Sequence, residues 1–313
     1  MKLRFKFICF VFCCVFVFGN IEAVSKTLIH AGKLIDGKSD LIQSKMSVVI
    51  EGNLITDVKE GYLSTTDYDE YIDLRDYTVL PGLMDMHVHF GQEYQSKAQA
   101  PIKVEREMQA ILATQHAYVT FKSGFTTVRQ VGDSGLVAIS LRDAINAGKL
   151  VGPRIFAAGK TIATTGGHAD PTNGRALDDY AYPVPEQGVV NGPYEVYAAV
   201  RQRYKDGADG IKITVTGGVL SVAKSGQNPQ FTQEEVDAVV SAAKDYDMWV
   251  AVHAHGAEGM KRAIKAGVDS IEHGTFMDLE AMDLMIENGT YYCLLYTSPS
   301  PRDRTRSRMP SSA

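Results

Sequence analysis

The sequence has little of what marks several large protein classes. Its 313 residues include four cysteines, Cys9, Cys13, Cys14 and Cys293. All four fall outside residues 24–292, the part read below as the natural body. That body is therefore expected to have no disulfide, no thiolate metal ligand and no cysteine nucleophile. A basic surplus is also missing: the net charge is −5 at pH 7, which gives no support to a nucleic-acid partner. Disorder across the whole chain is excluded by 45% hydrophobic and 22% charged residues.

The first 23 residues read as an export signal. Lys2, Arg4 and Lys6 precede the apolar run Ile8–Phe18, and Ile21-Glu22-Ala23 offers a small residue for cleavage. The run has 11 residues, against the ~20 that a spanning helix needs. Cys13-Cys14 lacks the small residues expected before a lipid-modified cysteine. The expectation is an exported protein, periplasmic or secreted, with no stable membrane anchor after cleavage.

The other end, residues 293–313, runs CLLYTSPSPRDRTRSRMPSSA, with three prolines, four arginines and no apolar period. CLLYTS is what TGTCTCTTATACACATCT encodes, which resembles a transposon end used in sequencing libraries. PSPRD and SRMPSSA match translated adapter and primer sequence in the same frame. The tail is therefore expected to be foreign, with natural sequence ending near Tyr292. Removing the +2 of residues 1–23 and the +3 of residues 293–313 from −5 leaves −10 for an acidic body.

Within the body, residues 24–77 are a small β unit. Thr27–His30, Ser47–Ile50 and Leu54–Val58 are strand-like, and Glu51-Gly52-Asn53 suits a hairpin turn. From residue 78 to 292 the pattern alternates helix and strand. The helix candidates are Ile102–Ser123, Gly135–Asn146, Tyr194–Asp206, Gln233–Tyr246, Ala257–Ala266 and Leu279–Asn288. Glycines 124, 148, 207, 267 and 289 stand where these helices should stop. Thr232 with Glu235 predicts a capping box. Strand-like runs are Val79–His87, Thr126–Val131, Arg154–Ala158, Gly210–Val215, Trp249–His253 and Ser270–Glu272, with a seventh beginning at Thr290. Such alternation implies an α/β fold with a parallel sheet. No Gly-x-Gly-x-x-Gly follows the first strand, so a dinucleotide-binding sheet loses ground. The expected fold is a (β/α)8 TIM-type barrel, incomplete at about six and a half βα units.

Histidines collect at the ends of these strands. Pro81-Gly82-Leu83-Met84-Asp85-Met86-His87-Val88-His89 puts His87 and His89 two apart, hence on one face. Trp249–His255 contributes His253 and His255, and Ser270-Ile271-Glu272-His273-Gly274 contributes His273. Five of the eight histidines thus lie where barrel enzymes keep their chemistry. Clustered imidazoles suit a divalent ion of the zinc type. Lys212 stands in Gly210–Val215, a strand buried on both faces. An unpaired ammonium there is costly, so either a carboxylate pairs with it or it is neutral and open to carbon dioxide.

These motifs together resemble the amidohydrolase superfamily, and in particular its Xaa-Pro dipeptidase-like and imidazolonepropionase-like branch, over residues from about 26 to 292. The resemblance implies two divalent metal ions: His87, His89 and a carboxylated Lys212 on one, and Lys212, His253 and His273 on the other. A metal-activated hydroxide would then cleave a small peptide or amide, plausibly an Xaa-Pro dipeptide. His255 is assigned to substrate or to support of the ligands, and His168, in the loop Thr164–Asp170, to the substrate carboxylate. Thr216–Val219 is a second glycine-bearing loop. Arg129 and Asp133 are expected to be structural, while Tyr180 and Tyr182 line the long third loop. The family also needs an aspartate after an eighth strand. None can be matched, so the catalytic residue is unassigned and the chain as written is expected to be inactive. The alternatives are hydrolysis of a cyclic amide or N-acyl amino acid, or an exported metal- or solute-binding protein without catalysis. A homo-oligomer is left open.

Overall fold

A computed structural model describes residues 24–91, 105–133, 135–174, 182–218, 221 and 225–294. The expected export signal, residues 295–313 of the tail, and Tyr180 lie outside these. The chain divides into two units, Met1–Pro81 and Gly82–Ala313.

The first unit is a four-stranded sheet in the order β3-β2-β1-β4. Strands β1 (Lys26–Leu34), β2 (Gln43–Glu51) and β3 (Leu54–Glu60) pair antiparallel, and β4 (Glu70–Val79) pairs parallel to β1. The expected turn at residues 51–53 joins β2 to β3, with Gly52 at φ +62. Ala31, Leu34, Met46 and Val48 form the apolar core of this sheet.

β4 corrects the expectation of one strand over Val79–His87. Polar residues alternate along β4, which concealed it, and the strand belongs to the first unit. The chain then breaks at Pro81-Gly82 and restarts as β5 (Leu83–Val88). Pro81 has no N–H to give to a ladder. Gly82 lies so close to Thr126 that a Cβ there would collide with its side chain.

The second unit alternates as expected. Helices α1 (Arg106–Lys122), α2 (Val137–Asn146), α3 (Pro193–Lys205), α4 (Gln233–Lys244), α5 (Ala257–Ala266) and α6 (Leu279–Asn288) fall on the six anticipated segments. The five glycines expected to stop helices all have left-handed φ, from +67 to +96. The Thr232–Glu235 box opens α4: Glu235 N–H donates to Thr232 Oγ1 at 3.3 Å, and Thr232 N–H donates to Glu235 Oε2 at 2.8 Å.

The strands between these helices are parallel. β5 pairs with β6 (Phe125–Gln130), and β6 with β7 (Arg154–Ala157). A four-stranded sheet joins β10 (Gly210–Thr214), β11 (Trp249–Gly256), β12 (Ser270–Phe276) and β13 (Tyr291–Cys293). A short pair, β8 (Ala163–Thr164) with β9 (Val189–Val190), was not anticipated. Ile162 bridges to β10, donating to Lys212 O at 2.8 Å and accepting from Thr214 N at 3.1 Å. The result is a mixed α/β unit in which no closed barrel forms among the described residues. One apolar core lies under α1 and α2 around Val128, Ile139 and Ile155. A larger one packs α3–α6 on β10–β12 through Val200, Ile211, Val239, Val252, Ile264 and Ile271. Each such side chain contributes about 1.5–3 kcal/mol of burial, which fixes the strands whose ends carry the histidines.

Cys293 is a second correction. It ends β13, opposite Glu272 of β12, so one cysteine does lie in the folded part. Parallel pairing with β12 continues one residue past Tyr292.

Candidate metal centre

β5 lies in one parallel sheet and β11 and β12 in another, and the C-terminal ends of these strands carry their side chains to one place. His87 lies in β5, His89 just beyond it, His253 and His255 in β11, and His273 in β12. Their rings form a connected group. His87 is 5.1 Å from His89 and 5.2 Å from His273 between centroids, and His253 is 4.6 Å from His273. His255 is stacked on His273 at 5.0 Å, and His168 on His253 at 4.2 Å. All six histidines expected at the site are therefore together. Ligand atoms of His253, His255 and His273 lie within 4.8 Å of one another, as do those of His87, Glu272 and Cys293. Neither group contains an aspartate.

The hydrogen-bond partners determine which ring nitrogens are free. His87 Nδ1 is 2.8 Å from Glu272 Oε2, a carboxylate oxygen that can only accept, so Nδ1–H donates. His89 Nδ1–H likewise donates to Gly132 O at 3.1 Å. The two Nε2 atoms face each other at 3.2 Å. Both rings are neutral near pH 7: burial lowers His87 to about 4, and burial lowers His89 as well. Two lone pairs therefore point at one another with no proton between them. That arrangement is repulsive unless a cation lies against both. His253 donates from Nε2 to Gly217 O at 3.1 Å, which leaves its Nδ1 as the free atom. Burial, and then the positive Lys212, pull His273 down to about 2.

Lys212 is 4% exposed in a strand whose five residues are all buried. Among the described residues its Nζ has no hydrogen-bond partner, and neither has Thr214 Oγ1. No carboxylate among them bonds to Lys212, and the largest acidic influence on it is the charge of Glu272. Burial lowers its pKa to about 8. An orphaned, partly neutral amine beside neutral imidazoles is the donor set a metal with a carbamate bridge would use.

The loop after β8 delivers His168. Asp170 ties it down, accepting from Gly166 N at 2.8 Å and from Thr172 N at 2.9 Å. His168 Nδ1 meets Ser221 Oγ at 2.7 Å. A Cβ on Gly218 would come within 2.5 Å of the His168 ring, so glycine there is what admits it. His255 Nδ1 meets Thr275 Oγ1 at 2.7 Å. Tyr182 is 87% exposed and takes no part in the cluster. Asp133 accepts from Ala138 N at 2.6 Å at the start of α2, a structural contact.

Sequence reading missed two features. Glu272 is fully buried and bonded to His87, although its place in Ile271-Glu272-His273 was visible as a carboxylate inside an apolar strand. His273 has φ +76, a conformation rare for a non-glycine residue and common where function holds strain. No local sequence pattern signals it. The Cys293 thiol is pushed up to about 12 by burial and then by Glu272, so it is protonated and a poor ligand at neutral pH.

A sequence model of the Amidohydrolase family matches residues 78–308. The chain belongs to the amidohydrolase family. Among solved structures, this amidohydrolase is 91% identical to a Xaa-Pro dipeptidase with methionine bound in its active site, with a TM-score of 0.84 over 86% of this chain and 66% of that one. A prolidase complexed with N-methylphosphonate-L-proline is 32% identical, with a TM-score of 0.76 over 86% and 65%. An ochratoxinase of Aspergillus niger is 29% identical over 88% of this chain. The amidohydrolase chain spans 60% of that relative's length.

Proposed function

We propose that the protein is a metal-dependent amidohydrolase that cleaves small peptides, with Xaa-Pro dipeptides as the leading substrates. Its second unit is read as the larger part of a (β/α)8 barrel. The observation that carries this reading is the opposed Nε2 pair of His87 and His89 beside the unpartnered Lys212. His87 and His89 would hold one divalent ion and His253 and His273 the other, with Lys212 between them as a carbamate. Neutral imidazoles favour zinc. Bound there, the ions would supply Lewis acidity and a water acidic enough to attack an amide at neutral pH.

The chain's own residues prepare that site. A pKa of about 8 leaves more of Lys212 neutral at pH 7 than an exposed lysine would be. The free amine would form an N–C bond to carbon dioxide and release its proton to solvent, leaving a carbamate anion where the amine stood unpartnered. His168, neutral because burial lowers it to about 4, offers one N–H to the substrate carboxylate. His255, stacked on His273, walls the site on the substrate side.

The dipeptidase with bound methionine and the prolidase with a proline phosphonate support an amino-acid-sized occupant and a C-terminal proline. N-acyl amino acids form the second substrate panel, to which the ochratoxinase likeness adds ochratoxin. Residues 1–23 support action outside the cytoplasm on peptides found there. The test is release of free proline from Met-Pro and related dipeptides. It uses the zinc-loaded chain completed with those parts of the 91%-identical dipeptidase that it does not cover. Turnover that disappears in His87→Ala is expected. Absence of turnover with every Xaa-Pro dipeptide while zinc is bound would overturn the proposal.

A further inference from the structure

Glu272 is the centre of a buried network with no part in the scheme above. Its Oε2 accepts from His87 Nδ1 at 2.8 Å, and its Oε1 accepts from Arg129 Nη2 and from Ser270 Oγ, each at 2.6 Å. Arg129 also donates to Ser270 Oγ at 3.0 Å and to Met86 O at 2.9 Å, and its guanidinium lies 5.3 Å from the centre of the Trp249 ring. Arg129 comes from β6, Met86 and His87 from β5, and Ser270 and Glu272 from β12. The network therefore links two parallel sheets by side chains alone.

Two of these bonds fall on Oε1 of Glu272 and one on Oε2, and the Cys293 thiol lies against the same carboxylate. Arg129 and Ser270 hold one oxygen, and the other faces His87. A carboxylate oxygen cannot donate, so His87 must carry its proton on Nδ1 and present a bare Nε2. We propose that Glu272, held by Arg129 and Ser270, is a positioning residue that fixes the tautomer and ring orientation of His87 for metal binding. The proposal rests on the metal-centre reading.

Glu272→Gln separates this role from simple pairing of Arg129. The glutamine oxygen can still face Arg129 and Ser270, but its NH2 then faces His87 Nδ1. His87 must become the acceptor at Nδ1, and its proton moves to Nε2, where it points at His89 Nε2. The expected results are a change of the His87 nitrogen-15 NMR signature from the Nδ1–H to the Nε2–H form in the metal-free chain, and zinc affinity lower by about 10–100-fold. Because an unpaired Arg129 could harm folding, the Glu272→Gln/Arg129→Met double variant removes both charges. Its melting temperature should recover while zinc affinity stays low. If zinc affinity returns in the double variant, Glu272 serves only to neutralise Arg129, and the proposal fails. Equal zinc affinity in wild type and Glu272→Gln overturns it as well. Failure of the wild-type chain to bind zinc, with His87 still in the Nδ1–H form, overturns the metal-centre reading instead.

Discussion

Two buried histidine environments in this molecule look alike in burial and differ in what they leave over. His30, in the small sheet, is 5% exposed, and both its nitrogens are used: one meets Tyr71 OH at 3.1 Å and the other Leu63 O at 3.1 Å. Tyr62 and Tyr71 pack on its ring. His87 is as well hidden, at 8% exposed, whereas His89 is open to solvent, but each spends only one nitrogen on the protein and turns the other toward its neighbour. Burial of a histidine thus marks nothing by itself. A surplus lone pair, with nothing among the described residues to satisfy it, marks a place for a cation.

Acid should act on this contrast most strongly. The folded His87 and His168 take up protons only near pH 4, because burial opposes their charged forms, whereas an unfolded histidine does so near 6.5. Between those values the unfolded chain binds more protons, so stability falls as pH falls. Each group contributes about 1.4 kcal/mol per unit of separation, and several act together. The metal-free second unit is expected to unfold before pH 4 when followed by circular dichroism, with zinc moving the midpoint to lower pH. A flat profile from pH 6.5 to 4 would mean that the site histidines are already charged or exposed, and the contrast with His30 would vanish.

Substitution gives the next largest effect. His87→Ala should lower zinc affinity by more than the ~10–100-fold expected for an outer partner. His30→Ala should leave zinc affinity unchanged and instead lower the melting temperature, because it strips partners from Tyr71 OH and Leu63 O. Chelator competition and thermal melting on the two variants measure both. If His30→Ala weakens zinc binding as much as His87→Ala, surplus lone pairs do not locate the metal.

How much of this was legible beforehand depends on whether the signal is local. The six helices, their glycine stops and the Thr232–Glu235 cap follow from period and capping chemistry within a few residues, and they stand where expected. His-x-His on a strand, and a lysine inside an apolar one, are local too. The Arg129–Glu272 contact is not: its partners are 143 residues apart in sequence and meet only once two sheets are built. The φ of His273 and the break at Pro81-Gly82 also depend on tertiary neighbours. Strand β4 escaped because its exposed, polar face resembles a loop in composition.

Lys212 sharpens the comparison from the other side, since it has a surplus of donors where the histidines have a surplus of acceptors. Replacing it by Met removes the orphan ammonium and keeps most of the apolar stem. The metal-free variant should be more stable at pH 7 by about 1–3 kcal/mol, the usual cost of an unsatisfied buried polar group. Its zinc content should fall. The wild type should also gain stability from pH 8 to about 10.5, where the unfolded lysine is still protonated and the folded one is not. Urea denaturation should show this rise in the wild type and lose it in Lys212→Met. A variant less stable than wild type would show that Nζ has a partner in solution, and the argument for a carbamate would lose its footing.

The smallest effect is expected at Gly218. A methyl group there approaches the His168 ring to 2.5 Å, and the ring, stacked at 4.2 Å on His253 and held by Ser221, has little room to withdraw. Gly218→Ala should therefore displace His168 without touching His87, His89 or Lys212. If His168 meets the substrate carboxylate, the completed enzyme should show a raised KM with kcat and zinc content close to wild type, a shift of about 1.5–3 kcal/mol in kcat/KM for one hydrogen bond to a charged group. A fall in kcat or zinc content with KM unchanged would instead make His168 a support for His253. The free nitrogen of His253 would then owe its orientation to the stacked ring as well as to Gly217.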